Sequence, residues 1–138
     1  MINTLIDAGP FIALFDKDDK YHEKVKDFLK KFHGHLTTTW PVLTEVCHLL
    51  DFNVNVQIDF LKWIQRKAIM IHELEDQHLS RIIELTEKYS DVPMDLADAS
   101  LMVVAETEKI THIITIDSDY HIYRTSKKVK LKNLLEGY

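Results

Sequence analysis

The chain has one cysteine, three glycines and three prolines in 138 residues. A lone Cys47 excludes an internal disulfide and any thiolate-based zinc site built within the chain, and it fits a reducing, cytoplasmic setting. So few glycines and prolines exclude a flexible or low-complexity polymer and favour short connections between regular elements. No apolar run approaches the roughly 20 residues of a membrane helix. The longest are short segments such as Ile113-Ile114-Thr115-Ile116, so no membrane association is expected. The opening Met1-Ile2-Asn3-Thr4-Leu5-Ile6-Asp7 has no basic n-region, no long apolar core and no cleavage site, and reads as the start of the fold itself. Bases are in deficit: 17 Lys and Arg against 22 Asp and Glu leave a net charge of -5, which argues against holding nucleic acid by bulk positive charge. A polyanionic partner would need a local basic patch or metal ions.

What is present is 46% hydrophobic and 28% charged residues, enough for a single domain over 1–138 with a sizeable core. Periodicity alternates short β-like runs with longer helical ones, the pattern of an α/β fold with a mostly parallel sheet covered by helices. Strands are expected over 2–6, 36–39, 68–72 and 112–116, with a last β-like stretch over 129–131. Helices are expected from Pro10 to Phe15, over 20–33, from Pro41 through Leu50, and over 55–67, 75–89 and 94–108, with a short helix or turn over 119–125. The helix over 94–108 is apolar on most of its circumference and is therefore expected to be central.

The acids fall at element boundaries. Asp7 and Asp117 each follow an apolar strand directly, so two strands deliver carboxylates to the sheet edge where open α/β folds assemble their sites. Glu45 lies in the second turn of the helix after strand 36–39, Asp95 and Asp98 share a face of the first turn of the most apolar helix, and Asp119 is two residues past Asp117. Each acid taken alone is also explained as a helix cap or a partner of the helix dipole. Together they are not, because Asp98 sits inside Leu96-Ala97-Asp98-Ala99-Ser100-Leu101 and the run from Tyr89 to Glu108 contains no basic residue to compensate it. Carboxylates converging without His or Cys form a hard-oxygen site suited to Mg²⁺ or Mn²⁺, and two such ions suit hydrolysis of a phosphodiester.

These residues resemble the blocks of the PIN-domain family, and the whole chain is similar to the VapC-type ribonuclease toxins of toxin–antitoxin pairs. Leu5-Ile6-Asp7-Ala8-Gly9-Pro10-Phe11 resembles the opening block, Thr44-Glu45-Val46 the second, Met94-Asp95-Leu96-Ala97-Asp98-Ala99 the third and Thr115-Ile116-Asp117-Ser118-Asp119-Tyr120 the fourth. The resemblance implies a three-layer α/β/α fold and a Mg²⁺- or Mn²⁺-dependent endoribonuclease acting on single-stranded RNA with two ions. It implies Asp7, Glu45, Asp98 and Asp117 as the catalytic acids, with Asp95 and Asp119 as further metal ligands and Thr115 in support, Asp98 standing ahead of Asp95. It also implies a homodimer and a small antitoxin partner. Two positions depart from the family pattern: Ala8 replaces a hydroxyl residue and Tyr120 replaces a phenylalanine.

For RNA contact, Arg124, Lys127, Lys128, Lys130 and Lys132 form a basic run without an intervening acid, and Trp40 and Tyr120 could stack on unpaired bases. The run reads equally as a lysine-protected edge strand, and the aromatics as core. Lys17, Lys20, Lys24, Lys30 and Lys31 are interleaved with acids and read as a solvated helix face. Glu45-x-x-His48 and Glu75-x-x-His78 fit a di-iron pairing, but the strands argue against the helical bundle that it needs. A dehalogenase-like phosphatase would need an acid at Gly9, and a phosphoacceptor receiver an acidic pair in its first loop. The alternative of another class is a catalytically inactive PIN-like module that binds RNA or protein.

Overall fold

The computed structural model describes residues 2–67 and 69–138. Five parallel strands, β1 (Asn3–Ile6), β2 (His35–Thr38), β3 (Met70–Ile71), β4 (His112–Ile114) and β5 (Lys132–Asn133), lie in the order β3-β2-β1-β4-β5. Six helices flank the sheet in a three-layer α/β/α arrangement: α1 (Ala8–Phe15), α2 (His22–Lys31), α3 (Trp40–Leu49), α4 (Val54–Arg66), α5 (Leu79–Lys88) and α6 (Leu96–Glu108). Pairing every strand in parallel forces a crossover after each, and the alternating sequence supplies the helices that make it. No helix among the described residues is long and apolar enough to cross a membrane.

The chain winds outward from β1 to β2 and β3, then returns to the other side of β1 for β4 and β5. The reversal leaves a crevice beyond the carboxyl ends of β1 and β4, and the strands of such a crevice carry ligand sites. Leu5 and Ile6 of β1 pair with Ile113 and Ile114 of β4, all four fully buried, so the floor beneath that crevice is rigid and apolar. Helix α6 runs buried from Ala97 to Ala105, which is why its sequence lacks a polar face. On the other flank Phe11 and Phe15 of α1 meet Phe60 and Trp63 of α4 edge to face, with centroids 5.3 to 6.1 Å apart, and Phe60 is fully buried.

Several expected boundaries move for local reasons. The third strand is shorter than 68–72: β3 keeps Met70–Ile71, and the expected start at Ala68 lies outside the described residues. The last strand sits at Lys132–Asn133 rather than 129–131, because a turn comes first, in which Lys128 adopts the left-handed conformation and Thr125 N donates to the Val129 carbonyl. The helix over 75–89 opens as a 3-10 turn at Asp76–His78, where Glu75 and His78 cap each other, and becomes α-helical from Leu79. That reciprocal cap accounts for the second Glu-x-x-His spacing. Helix α1 begins at Ala8 instead of Pro10, and the helix expected from 94 begins at Leu96 with Asp95 as its cap, not within its first turn. The turn expected over 119–125 is a 3-10 helix at Ser118–His121.

Candidate active site

Asp7 occupies the cap position of α1, yet its side chain makes no capping hydrogen bond. Instead the Asp7 N–H donates to the Ile114 carbonyl at 3.1 Å, carrying the β1–β4 ladder one step further. Its Oδ2 accepts from Thr115 Oγ1 at 3.0 Å. Thr115 is itself clamped: its N–H donates to Asn133 Oδ1 at 3.2 Å and its carbonyl accepts from Asn133 Nδ2 at 3.0 Å. The same threonine oxygen accepts from the Asp117 N–H at 2.9 Å, and Asp117 Oδ1 then accepts from the Asp119 N–H at 2.9 Å. One hydroxyl thus sets the spacing of two acids delivered by adjacent strands. Asp98 comes from the other side, at the third position of α6, in a reciprocal cap: its N–H donates to Asp95 Oδ1 at 2.8 Å, and its Oδ2 accepts from the Asp95 N–H at 3.3 Å. The hydroxyls of Tyr120 and Tyr123 donate to its two oxygens at 3.2 and 3.3 Å.

Asp7, Asp98 and Asp117 converge so that one oxygen from each lies within 4.8 Å of the others. Asp7 and Asp98 are buried and Asp117 is half-buried. Loss of hydration pushes the Asp7 carboxyl up to about 7, against hydrogen bonds from the Ala8 backbone and Thr115 that pull it down. Asp98 is pushed up to about 8, first by burial and then by the charges of Asp7 and Asp95. Burial likewise raises Glu45 and Asp117, with neighbouring acids adding to it. The ion pairs among the described residues involve Lys31, His72, Arg81 and His121, and none touches these acids. Buried carboxylates held together without a cation of the chain fit a divalent metal: the donors are all hard oxygens, and the missing counter-charge is positive.

A family model for the PIN domain matches residues 4–128, most of the chain. The chain belongs to the PIN-domain family. Among solved structures this PIN domain is similar to Mycobacterium tuberculosis VapC20, a Sarcin-Ricin loop cleaving toxin. The TM-score is 0.78 at 15% identity, over 86% of this chain and 93% of that one, which establishes a shared fold. A search of curated proteins gives no significant match.

The remaining expected residues of this PIN domain fall into place unevenly. Glu45 lies outside the group of three but is half-buried on α3, close enough for its charge to raise Asp7. Asp95 is exposed and spends its carboxylate capping α6, so Asp98 is the inner acid of the pair. Asp119 lies in the first turn of the 3-10 helix that Asp117 caps and is half-buried. Tyr120 is only 3% exposed and packs edge to face on Tyr123 at 5.1 Å, so its ring has no face free for a base; its role is beneath Asp98. Where the family pattern has phenylalanine, this chain gains a donor to that acid. Of the basic run, Lys130 and Lys132 line a groove with Asp117 and His121, whereas Lys127 lines a separate cleft with Glu106 and Lys109. Arg124 turns its Nη1 onto the carbonyls of His121 and Tyr123 at 2.7 and 2.9 Å, and Lys128 is exposed, with its backbone in the left-handed conformation of the turn. Lys24, read as part of a solvated face, instead lines a groove beside Asp117 with Ser118 and His121. Sequence reasoning missed Tyr123, Asn133 and His121. The signal for Tyr123 was its spacing three residues after Tyr120; Asn133 gave none, since its clamp on Thr115 crosses from β5 to the end of β4.

Proposed function

We propose that this PIN domain is a divalent-metal-dependent endoribonuclease that hydrolyses phosphodiester bonds of single-stranded RNA, acting as the toxin of a toxin–antitoxin pair in the cytoplasm. The observation that carries the reading is the convergence of Asp7, Asp98 and Asp117 within 4.8 Å, partly buried and with no cation between them among the described residues. Mg²⁺ or Mn²⁺, two ions during turnover, would be held by these three with Glu45, and by Asp95 and Asp119 at the margin. When bound, such ions lower the pKa of an attacking water and stabilise the leaving oxygen. The protein's own part is positional. Thr115 sets the distance between Asp7 and Asp117, while Tyr120 and Tyr123 hold the Asp98 oxygens toward the crevice. Lys24, Lys130, Lys132 and His121 line the grooves beside Asp117 and would draw the phosphates of a strand past it.

The RNA-cleaving activity of VapC20, the same fold, supports the substrate class. An apolar stripe supports the homodimer: Val54, Ile58 and Leu61 recur at one-turn spacing on α4, continued by Leu49 and Phe52, all exposed. The test is cleavage of a mixed single-stranded RNA with Mg²⁺ or Mn²⁺, beside EDTA and the Asp98→Asn variant. Cleavage lost in both controls supports the reading. A folded protein that binds RNA but leaves it intact with either metal would make it an inactive binding module.

A further inference from the structure

An open trough of about 560 Å³, within the range of small-ligand clefts, shares no lining residue with the lysine-lined grooves beside Asp117. Its walls are Trp40 and Pro41 at the start of α3 and Leu96 and Ala97 at the start of α6, with Glu45 and Asp95 on the side toward the acids. Trp40 is 53% exposed and Leu96 58%, two large apolar side chains at the first positions of two helices. Neither is placed loosely. Ser100 Oγ donates to the Ala97 carbonyl at 2.7 Å, so the buried contact of 2.7 Å between Thr39 and Ser100 is a bond from Thr39, and it ties the cap of α3 to the first turns of α6. Thr44 Oγ1 donates to the Trp40 carbonyl at 3.0 Å and holds the turn that carries the indole.

Glu45 and Asp95 of this trough lie close enough for their charges to raise Asp7 and Asp98. From Trp40 and Leu96 lining one trough with these two acids, we infer a subsite for one unpaired nucleobase next to the scissile phosphodiester. This rests on the ribonuclease reading and deepens it. The trough's lining has two carboxylates and the imidazole of His48, and no Lys or Arg. That charge turns away phosphates and acidic peptide segments, and the apolar walls of Trp40, Pro41, Leu96 and Ala97 suit a flat, apolar group. In a single strand that group is the base, joined to a phosphate that the lysine side of the crevice receives. An indole face offers more overlap to a purine than to a pyrimidine, so purines are favoured at this position. Single-strandedness is then a requirement of the site, because a paired base cannot lie between Trp40 and Leu96.

Trp40 is exposed, so Trp40→Ala leaves the fold intact and Trp40→Phe retains a smaller aromatic face. With wild-type protein, Mg²⁺ and a mixed-sequence RNA, Trp40→Ala should raise KM about tenfold, with a smaller change in kcat, and erase the purine preference read by sequencing cleavage ends; Trp40→Phe should restore most of both. A second readout needs no turnover. Trp63 is the other tryptophan, and in a Trp63→Phe protein in EDTA the Trp40 emission should be quenched by oligoadenylate more than by oligouridylate. Wild-type cleavage with Trp40→Ala matching it in KM and in cleavage positions would overturn the subsite and leave the ribonuclease standing. No cleavage by the wild type with either metal would instead overturn the reading beneath it.

Discussion

Asp7→Asn tests the electrostatic reading of the site without RNA. Burial holds the Asp7 carboxyl at about 7 in the fold against 3.8 as its ordinary value. Between those two values the folded state binds a proton that the unfolded chain has lost. The stabilising contribution is therefore complete below about 3.8 and is lost as pH rises through about 7. Integrated from about pH 5 to about pH 8, the loss is about 2–3 kcal/mol, or roughly 8 °C in Tm at about 3 °C per kcal/mol for a domain of this size. The amide that replaces the carboxyl keeps its shape and an oxygen for Thr115 but carries no charge. In EDTA, the difference in unfolding free energy between Asp7→Asn and wild type should widen in favour of the variant by that amount across the interval, measured by urea titration at several pH values. Taking the difference cancels the titration of the eight histidines, which both proteins share. Saturating Mg²⁺ or Mn²⁺ should close the difference at the upper pH, since the cation supplies the counter-charge that the fold omits. Parallel pH profiles for the two proteins would refute the claim that Asp7 is held in the fold at an electrostatic cost.

Tyr120→Phe removes the donor that this chain has in place of the usual phenylalanine, and about tenfold weaker activation by Mg²⁺ is expected in a metal titration of cleavage. Thr115→Val strips the acceptor of the Asp117 N–H and the donor to Asp7, and should destabilise the fold by about 1–3 kcal/mol in denaturant unfolding. Asn133→Ala should act in the same direction through Thr115, lowering kcat with little change in KM if positioning is its role. Thr39→Val breaks the tie between α3 and α6 and should raise KM for RNA as Trp40→Ala does, though less.

The alternation of β-branched runs with amphipathic stretches determines a parallel α/β fold by itself, because each such strand needs a covering helix before the next. The edge acids were legible for the same reason: Asp7 and Asp117 follow apolar strands, and in a parallel sheet such ends share one rim. Asp98 stood out as a charge inside an apolar helix with no base near it in sequence. Boundaries shifted where a local bond outcompeted periodicity, as in the Glu75–His78 cap that accounts for one apparent metal pairing. Only the tertiary structure gives Asp98 and Asp95 different surroundings: both lie on one helical face, but two tyrosines from a distant turn reach Asp98 while Asp95 caps the helix in solvent. It alone sent Tyr120 into the core and left Trp40 outside, because an aromatic at an element boundary carries no mark of which way it turns. It also split the basic run, bringing Lys130 to Asp117 while Lys127 went elsewhere, since a turn at Lys128 changes the direction of the chain between them. Sequence determines which groups a chain possesses and their local periodicity; which of them meet depends on how the crossovers stack, as they do in joining Asp7 to Thr115, 108 residues apart.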